Sequence, residues 1–139
     1  MDKGLVKKIL KSESGTYILI FRTEKNKKLE VGKIGDLNLK TGYYLYVGSA
    51  LGPGGVKARV KRHNKKSNNL HWHIDYLKEE TELVEVWYCY EEKRYEHQWA
   101  DILKKFIEIK IPLEKFGATD CDCRTHLFFA IDKPNYTDF

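Results

Sequence analysis

Glu96 is a carboxylate placed where the surrounding pattern calls for an apolar side chain. In "KRYEHQWADILKKFI", Lys93 to Ile107, helical spacing gathers Tyr95, Trp99, Ala100, Ile102, Leu103, Phe106 and Ile107 into one broad stripe. Glu96 falls inside that stripe, while Asp101, Lys104 and Lys105 fall outside it. A carboxylate on such a face is costly unless it is paired, hydrogen-bonded or bound to a metal ion. A second reactive set lies upstream, in "GYYLYVGSALGPGGVKARVKRH", Gly42 to His63. On a helix beginning near Val56, Arg59 and His63 are four residues apart, so they share one side and border the apolar edge of Val56 and Val60. An arginine fork suits a phosphate, and a histidine with an ordinary pKa of about 6.5 suits acid–base work. Around them the run "KARVKRHNKK", Lys57 to Lys66, holds six Lys or Arg, one His and no acid. Such a field attracts phosphate, with Lys57, Lys61, Arg62, Lys65 and Lys66 as candidate contacts, although a solvated basic helix would read the same way.

These residues need elements to hold them. "GTYILIF", Gly15 to Phe21, is apolar at nearly every position and reads as a central strand buried on both faces. "KKLEVGKIG" reads as a shorter strand ending in turn glycines, and "GYYLYVGSA" as a third strand, with short connections favouring antiparallel pairing. Gly48 ends that strand. Gly52, Pro53, Gly54 and Gly55 then make a turn in which the backbone can come close to a neighbour or a ligand, ahead of the basic helix. "ELVEVWYCY" is a further strand, alternating acids with apolar residues, and "THLFFAI" is another near the end. The expectation is an α+β fold: a small, mainly antiparallel sheet of about three core strands flanked by helices, with C-terminal strand added.

At 139 residues the chain has the length of one domain with a single core, here taken as 1–139, with 1–13 as an N-terminal extension and 133–139 as a frayed tail. The longest apolar runs are too short to cross a bilayer, and the start lacks the apolar centre of a signal peptide, so a cytoplasmic, non-membrane protein is expected. Three cysteines, two of them only two positions apart, fit reduced thiols. A net charge of +5 and a pI near 9.0 permit a polyanionic partner without requiring one.

Two further clusters invite a metal reading. In "HWHIDYL", His71, His73 and Asp75 lie close together, but His71 and His73 converge only if the segment is a strand. Structural hydrogen bonding is the plainer role, with His73 as a candidate for the edge of a binding groove. In "CDCRTH", Cys121, Cys123 and His126 offer three zinc ligands. A closed site needs four and the spacing is not that of a zinc knuckle, so a turn of buried thiols is the plainer reading.

Taken in order, "GTY" at Gly15 to Tyr17, "YVG" at Tyr46 to Gly48, Arg59, His63 and Glu96 resemble the GIY-YIG nuclease family. "HWHIDYL", "FGATDCDC" and "HLF" extend the likeness to a branch of small prokaryotic proteins of that superfamily, some fused to an endonuclease III-like repair glycosylase. The resemblance implies an endonuclease that hydrolyses phosphodiesters with one divalent ion, magnesium or manganese, in nucleic-acid repair or processing. Glu96 would hold the metal, Arg59 would steady charge on the phosphate, and Tyr17 and Tyr46 would surround the attacking water, with His63 as the rival base. DNA is favoured over RNA as partner, with Gly48 and His73 beside the basic contacts, and a repair glycosylase is an implied companion. Thr16 and Val47 replace the isoleucines of the two family tripeptides, both mild changes. The chain has no segment that reads as the separate DNA-binding domain many family members carry. A binding module that keeps the fold and the basic face without cleaving is therefore the alternative.

Overall fold

The computed structural model describes residues 2–4 as backbone only, 10–64, 73–91, 95–103, 111–113, 115–116 and 125–134, with the side chain of Glu96 left out. Seven strands and three α-helices lie among them: β1 (Asp2–Gly4), β2 (Gly15–Thr23), β3 (Lys27–Glu30), β4 (Asp36–Leu39), β5 (Gly42–Ala50), α1 (Gly55–Asn64), α2 (His73–Lys78), β6 (Glu82–Cys89), α3 (Glu96–Leu103) and β7 (Leu127–Ala130). Five strands form one antiparallel sheet in the order β1-β6-β2-β5-β7, and β3 and β4 form a separate hairpin. No helix of the described residues is long and apolar enough to cross a membrane.

β2 is the middle strand, as its unbroken apolar run predicts, and every residue from Gly15 to Phe21 is buried. Its alternate residues feed two cores. Tyr17, Leu19 and Phe21 join Tyr44, Tyr46, Val86 and Tyr88 on one face, beneath Val56 and Val60 of α1 and Ile74 and Leu77 of α2. Ile18 and Ile20 join Leu45, Val47 and Trp87 on the other, beneath Trp99, Ala100 and Leu103 of α3. Period-two alternation thus sends neighbouring residues to opposite layers.

The sheet is wider than the three core strands expected. β1 pairs Lys3 with Trp87, so part of the segment taken as an N-terminal extension belongs to the sheet edge. Three residues are too few to show a periodic pattern, and the pairing is supplied by the open edge of β6. The "KKLE" strand stands apart from the central sheet: Lys27, Lys28 and Glu30 are exposed, so it has little apolar face to bury there. On α3 the buried stripe is narrower than the periodicity suggested, because Ile102 is 41% exposed. Phe106 and Ile107 lie outside the described residues.

β6 hides a departure from simple alternation. Its register against β2 shifts between Ile20 and Phe21, and Glu85 is buried. The Trp87 Nε1–H donates to Glu85 Oε1 at 2.8 Å, and Lys133 Nζ lies 2.9 Å from Glu85 Oε2, so this buried carboxylate is charge-paired on the α3 side of the sheet.

The glycine-rich turn before α1 approaches the chain itself. Gly55 has φ +59°, and a Cβ there would sit 2.2 Å from the carbonyl oxygen of Glu13. The amides of Val56 and Lys57 donate to the carbonyls of Glu13 and Lys11 at 2.9 and 3.1 Å, which satisfies two of the donors that a helix start leaves open. Gly55→Ala is expected to lower stability by about 2–4 kcal/mol, combining left-handed strain with displacement of Glu13. Gly52→Ala, whose Cβ would meet nothing within 4 Å, should stay within about 0.5 kcal/mol of wild type in urea unfolding.

Candidate active site

Tyr17 and Gly48 face each other across β2 and β5. A Cβ at residue 48 would lie 2.5 Å from the Tyr17 hydroxyl oxygen, so the phenol lies over a backbone that carries no side chain. From α1, His63 reaches the same point: its Nε2 is 3.2 Å from the Tyr17 hydroxyl, and its ring lies 5.9 Å from that of Tyr46, edge-on at 75°. Tyr46 in turn packs edge-on against Phe116, whose ring also lies 5.5 Å from that of His73. The two strand tyrosines and the helical histidine therefore form one cluster.

Arg59 is one turn earlier on α1, half-buried, and donates from Nη1 to the carbonyl of Ser49 at 3.3 Å. That contact ties it to the backbone one residue beyond Gly48. Arg59 and Arg62 line a shallow depression of about 160 Å³ together with Ala50, Gly52 and Ala58. The glycine turn gives the depression its open floor.

Behind this surface is a charged group that the sequence pattern does not reveal. Asp75 of α2 is fully buried and lies 3.0 Å from Lys78 Nζ, itself 4% exposed, and both its oxygens accept from the Arg62 guanidinium at 3.4 Å. Lys78 Nζ also donates to the Arg62 carbonyl at 3.3 Å, which fixes the last turn of α1 where His63 sits. Asp75 had only a weak metal reading in "HWHIDYL"; the structure makes it an ion-pair partner, and His73 begins a helix rather than a strand. The signal available in sequence was Asp75 followed three residues later by Lys78, a spacing that pairs on a helix.

His63 is 1% exposed, and its pKa is lowered from 6.5 to about 3. Burial is the main cause, followed by the positive charges of Arg62, Arg59 and Lys78; Asp75 pulls weakly the other way. The imidazole is therefore neutral near neutral pH. With its proton on Nδ1, Nε2 accepts a hydrogen bond from the Tyr17 hydroxyl. So weak a base is better suited to orienting the phenol than to removing a proton from water.

Glu96 is the first residue of α3, and its side chain lies outside the described residues. Its backbone position is set by Tyr95, whose N–H donates to Thr16 Oγ1 at 3.1 Å. Thr16 precedes Tyr17, so α3 starts at the same end of the sheet as the tyrosine–histidine cluster, packed on the opposite face. Lys57 and Lys61 are exposed on α1, and Arg62 is half-exposed while paired to Asp75. Lys65, Lys66, His71, Cys121 and Cys123 lie outside the described residues. His126 is buried, and its ring lies 5.6 Å from that of His97 on α3. Among the described residues no group of three or more His, Cys, Asp or Glu is placed to hold a metal ion.

Because folded His63 titrates near 3 and the unfolded residue near 6.5, the unfolded state binds the extra proton between those values. Stability is then expected to rise with pH across that window and to fall by about 2 kcal/mol on going from pH 6.5 to 5. Urea unfolding at pH 7, 6 and 5 would read this, and His63→Gln should flatten the profile.

No curated protein and no solved structure shows a significant match to the chain. A family model matches residues 16–139, a span that takes in the tyrosine–histidine cluster, the basic helix and α3. By that match the chain belongs to the family described as Domain of unknown function DUF123.

Proposed function

We propose that this protein is a divalent-metal-dependent phosphodiesterase that cleaves nucleic acid, with DNA as the favoured substrate. The observation that supports this most is the meeting of Tyr17, Tyr46 and His63 beside Arg59, at the strand end where Gly48, having no side chain, lets the Tyr17 phenol lie across the backbone. Tyr17 of β2, Tyr46 of β5 and the α1 pair Arg59 and His63 come from three separate elements, with the three rings buried beneath the basic helix, and each suits a step of phosphoryl transfer.

In this reading Arg59 receives the phosphate. Its guanidinium, anchored to the Ser49 carbonyl, faces a depression it shares with Arg62, and among the described residues no acid lines that depression. A fork of N–H donors there stabilises the charge that grows on the phosphate oxygens. Tyr17 orients the attacking water through its hydroxyl, which neutral His63 holds in place. Tyr46 closes the site against Phe116 and keeps the His63 ring from turning. Asp75 and Lys78 act at one remove, by fixing the helix turn that carries His63.

The donor chemistry fits a magnesium-type ion, which is satisfied by one or two carboxylates together with water and substrate oxygens and needs no all-protein cage. Glu96, whose backbone starts α3 beside Thr16, would hold it. Such an ion would supply charge neutralisation on the phosphate and its leaving oxygen.

The test is a nicking assay on plasmid, single-stranded, flap and branched substrates with magnesium or manganese. Wild type should give product that a chelator abolishes, and Arg59→Ala and Glu96→Gln should each lower the rate by about 10²–10³-fold. Tyr17→Phe should fall as well while retaining substrate binding. Equal trace activity in wild type and variants would sink the enzymatic reading. It would leave a nucleic-acid-binding module on the same surface, recognised by salt-dependent binding without cleavage.

A further inference from the structure

A second concavity lies toward the other end of β5. It is a cleft of about 860 Å³ between the β3–β4 hairpin and the β5–β7 edge, within the roughly 300–1,000 Å³ typical of ligand sites. Lys27, Lys28 and Lys40 line its rim, with Asn38 beside them, and among the described residues no acid contributes to the lining. Lys28 pairs with Asn38 across the hairpin, and Lys40 follows two residues on, so the three share one face. The other wall is apolar: Phe129 stacks obliquely on Tyr44 at 4.9 Å, and Pro112 and Ile131 stand next to them. Ile131 is 69% exposed, the more exposed of the two large hydrophobic side chains open to solvent among the described residues.

Lysines facing an apolar wall, from which Ile131 and the half-exposed Pro112 reach solvent, fit a ligand with an anionic backbone and a flat apolar body. Lys27 and Lys28 do hold acids, Glu80 at 3.2 Å and Asp36 at 3.2 Å. Both pairs are at the surface, where such bridges contribute about 0–1 kcal/mol, so exchange for phosphate is not opposed. Tyr44 and Tyr46 face the same layer of the sheet, and Tyr44 is four residues from Gly48, about 13 Å along the strand.

We infer that this cleft binds a single-stranded segment of nucleic acid, with phosphates on the Lys28–Lys40 rim and a base against Ile131 and Pro112. The inference rests on the nucleic-acid reading above and adds to it the strandedness of the ligand. A concave pocket of this size accepts a splayed base, which a paired duplex does not present.

The experiment is anisotropy of a short labelled oligothymidylate across a salt series. Lys28→Gln with Lys40→Gln should weaken binding about tenfold and reduce the log–log salt slope by about 1.4, the single-strand value for two phosphate contacts. The pair Lys11→Gln with Lys33→Gln removes the same charge away from the cleft and should change affinity less than about threefold. Ile131→Ser should weaken binding with the slope unchanged, since it removes a base contact and no charge. Equal loss in the two lysine pairs would overturn the cleft in favour of diffuse charge. Thymidine monophosphate binding as tightly as the oligomer would also overturn it, in favour of a mononucleotide site. Cleft-dependent binding by a wild-type protein that never cleaves would defeat the nuclease reading alone, whereas cleavage with unaffected binding in the cleft variants would defeat the cleft alone.

Discussion

The candidate site depends on the close approach of a phenol to a bare backbone. Tyr17 can point across β5 only because residue 48 has no side chain, since any Cβ there would overlap the hydroxyl. The paired register of β2 and β5 brings the two positions opposite each other, and His63 can then meet the phenol from above. If the ring were pushed aside, the contact with His63 would be lost and the surface near Arg59 would change shape. The tyrosine–histidine cluster follows from one missing methyl-sized group.

Charge around that cluster is arranged in two layers. Arg59 lies outermost, tied to a strand carbonyl and open to the depression beside the glycine turn. Beneath it, Asp75 is buried with Lys78 and reaches Arg62, an arrangement whose balance depends on every partner being present. His63 sits between the layers as a neutral group, kept so by burial and by the cations on three sides. A neutral imidazole at this place directs a hydroxyl without adding a further positive charge to an already basic helix. In the proposed mechanism this separates a positioning role for His63 from a charge-bearing role for Arg59.

Much of this was legible in the residues themselves. The buried central strand, the aromatic third strand, the basic helix after the glycine turn and the late apolar strand all stand where their patterns place them, because each pattern extends over enough residues to have a period. Short or polar elements were not legible in the same way. Residues 2–4 carry no pattern and are recruited by an open strand edge, and the lysine-rich "KKLE" strand leaves the main sheet because it has too little apolar surface to bury within it. Glu85 is one of the acids that alternate along its strand, yet it is buried against Trp87, with the half-exposed Lys133 as its ion-pair partner. The register shift and a partner 48 residues away decide that, and neither is visible locally.

The candidate site divides along the same line. The sequence alone determined which chemically capable residues exist, their order, and their faces: Arg59 with His63 by helical spacing, and Tyr17 and Tyr46 on strands whose composition demands burial. Only the tertiary structure decided which of them meet, because antiparallel pairing sets Tyr17 against Gly48 and helix packing sets His63 over both tyrosines. It also decided the state of His63, since a pKa responds to burial and to charges brought in by α2, a separate element of the chain. Periodicity is a property of neighbours along the chain, whereas contact, desolvation and field are properties of neighbours in space.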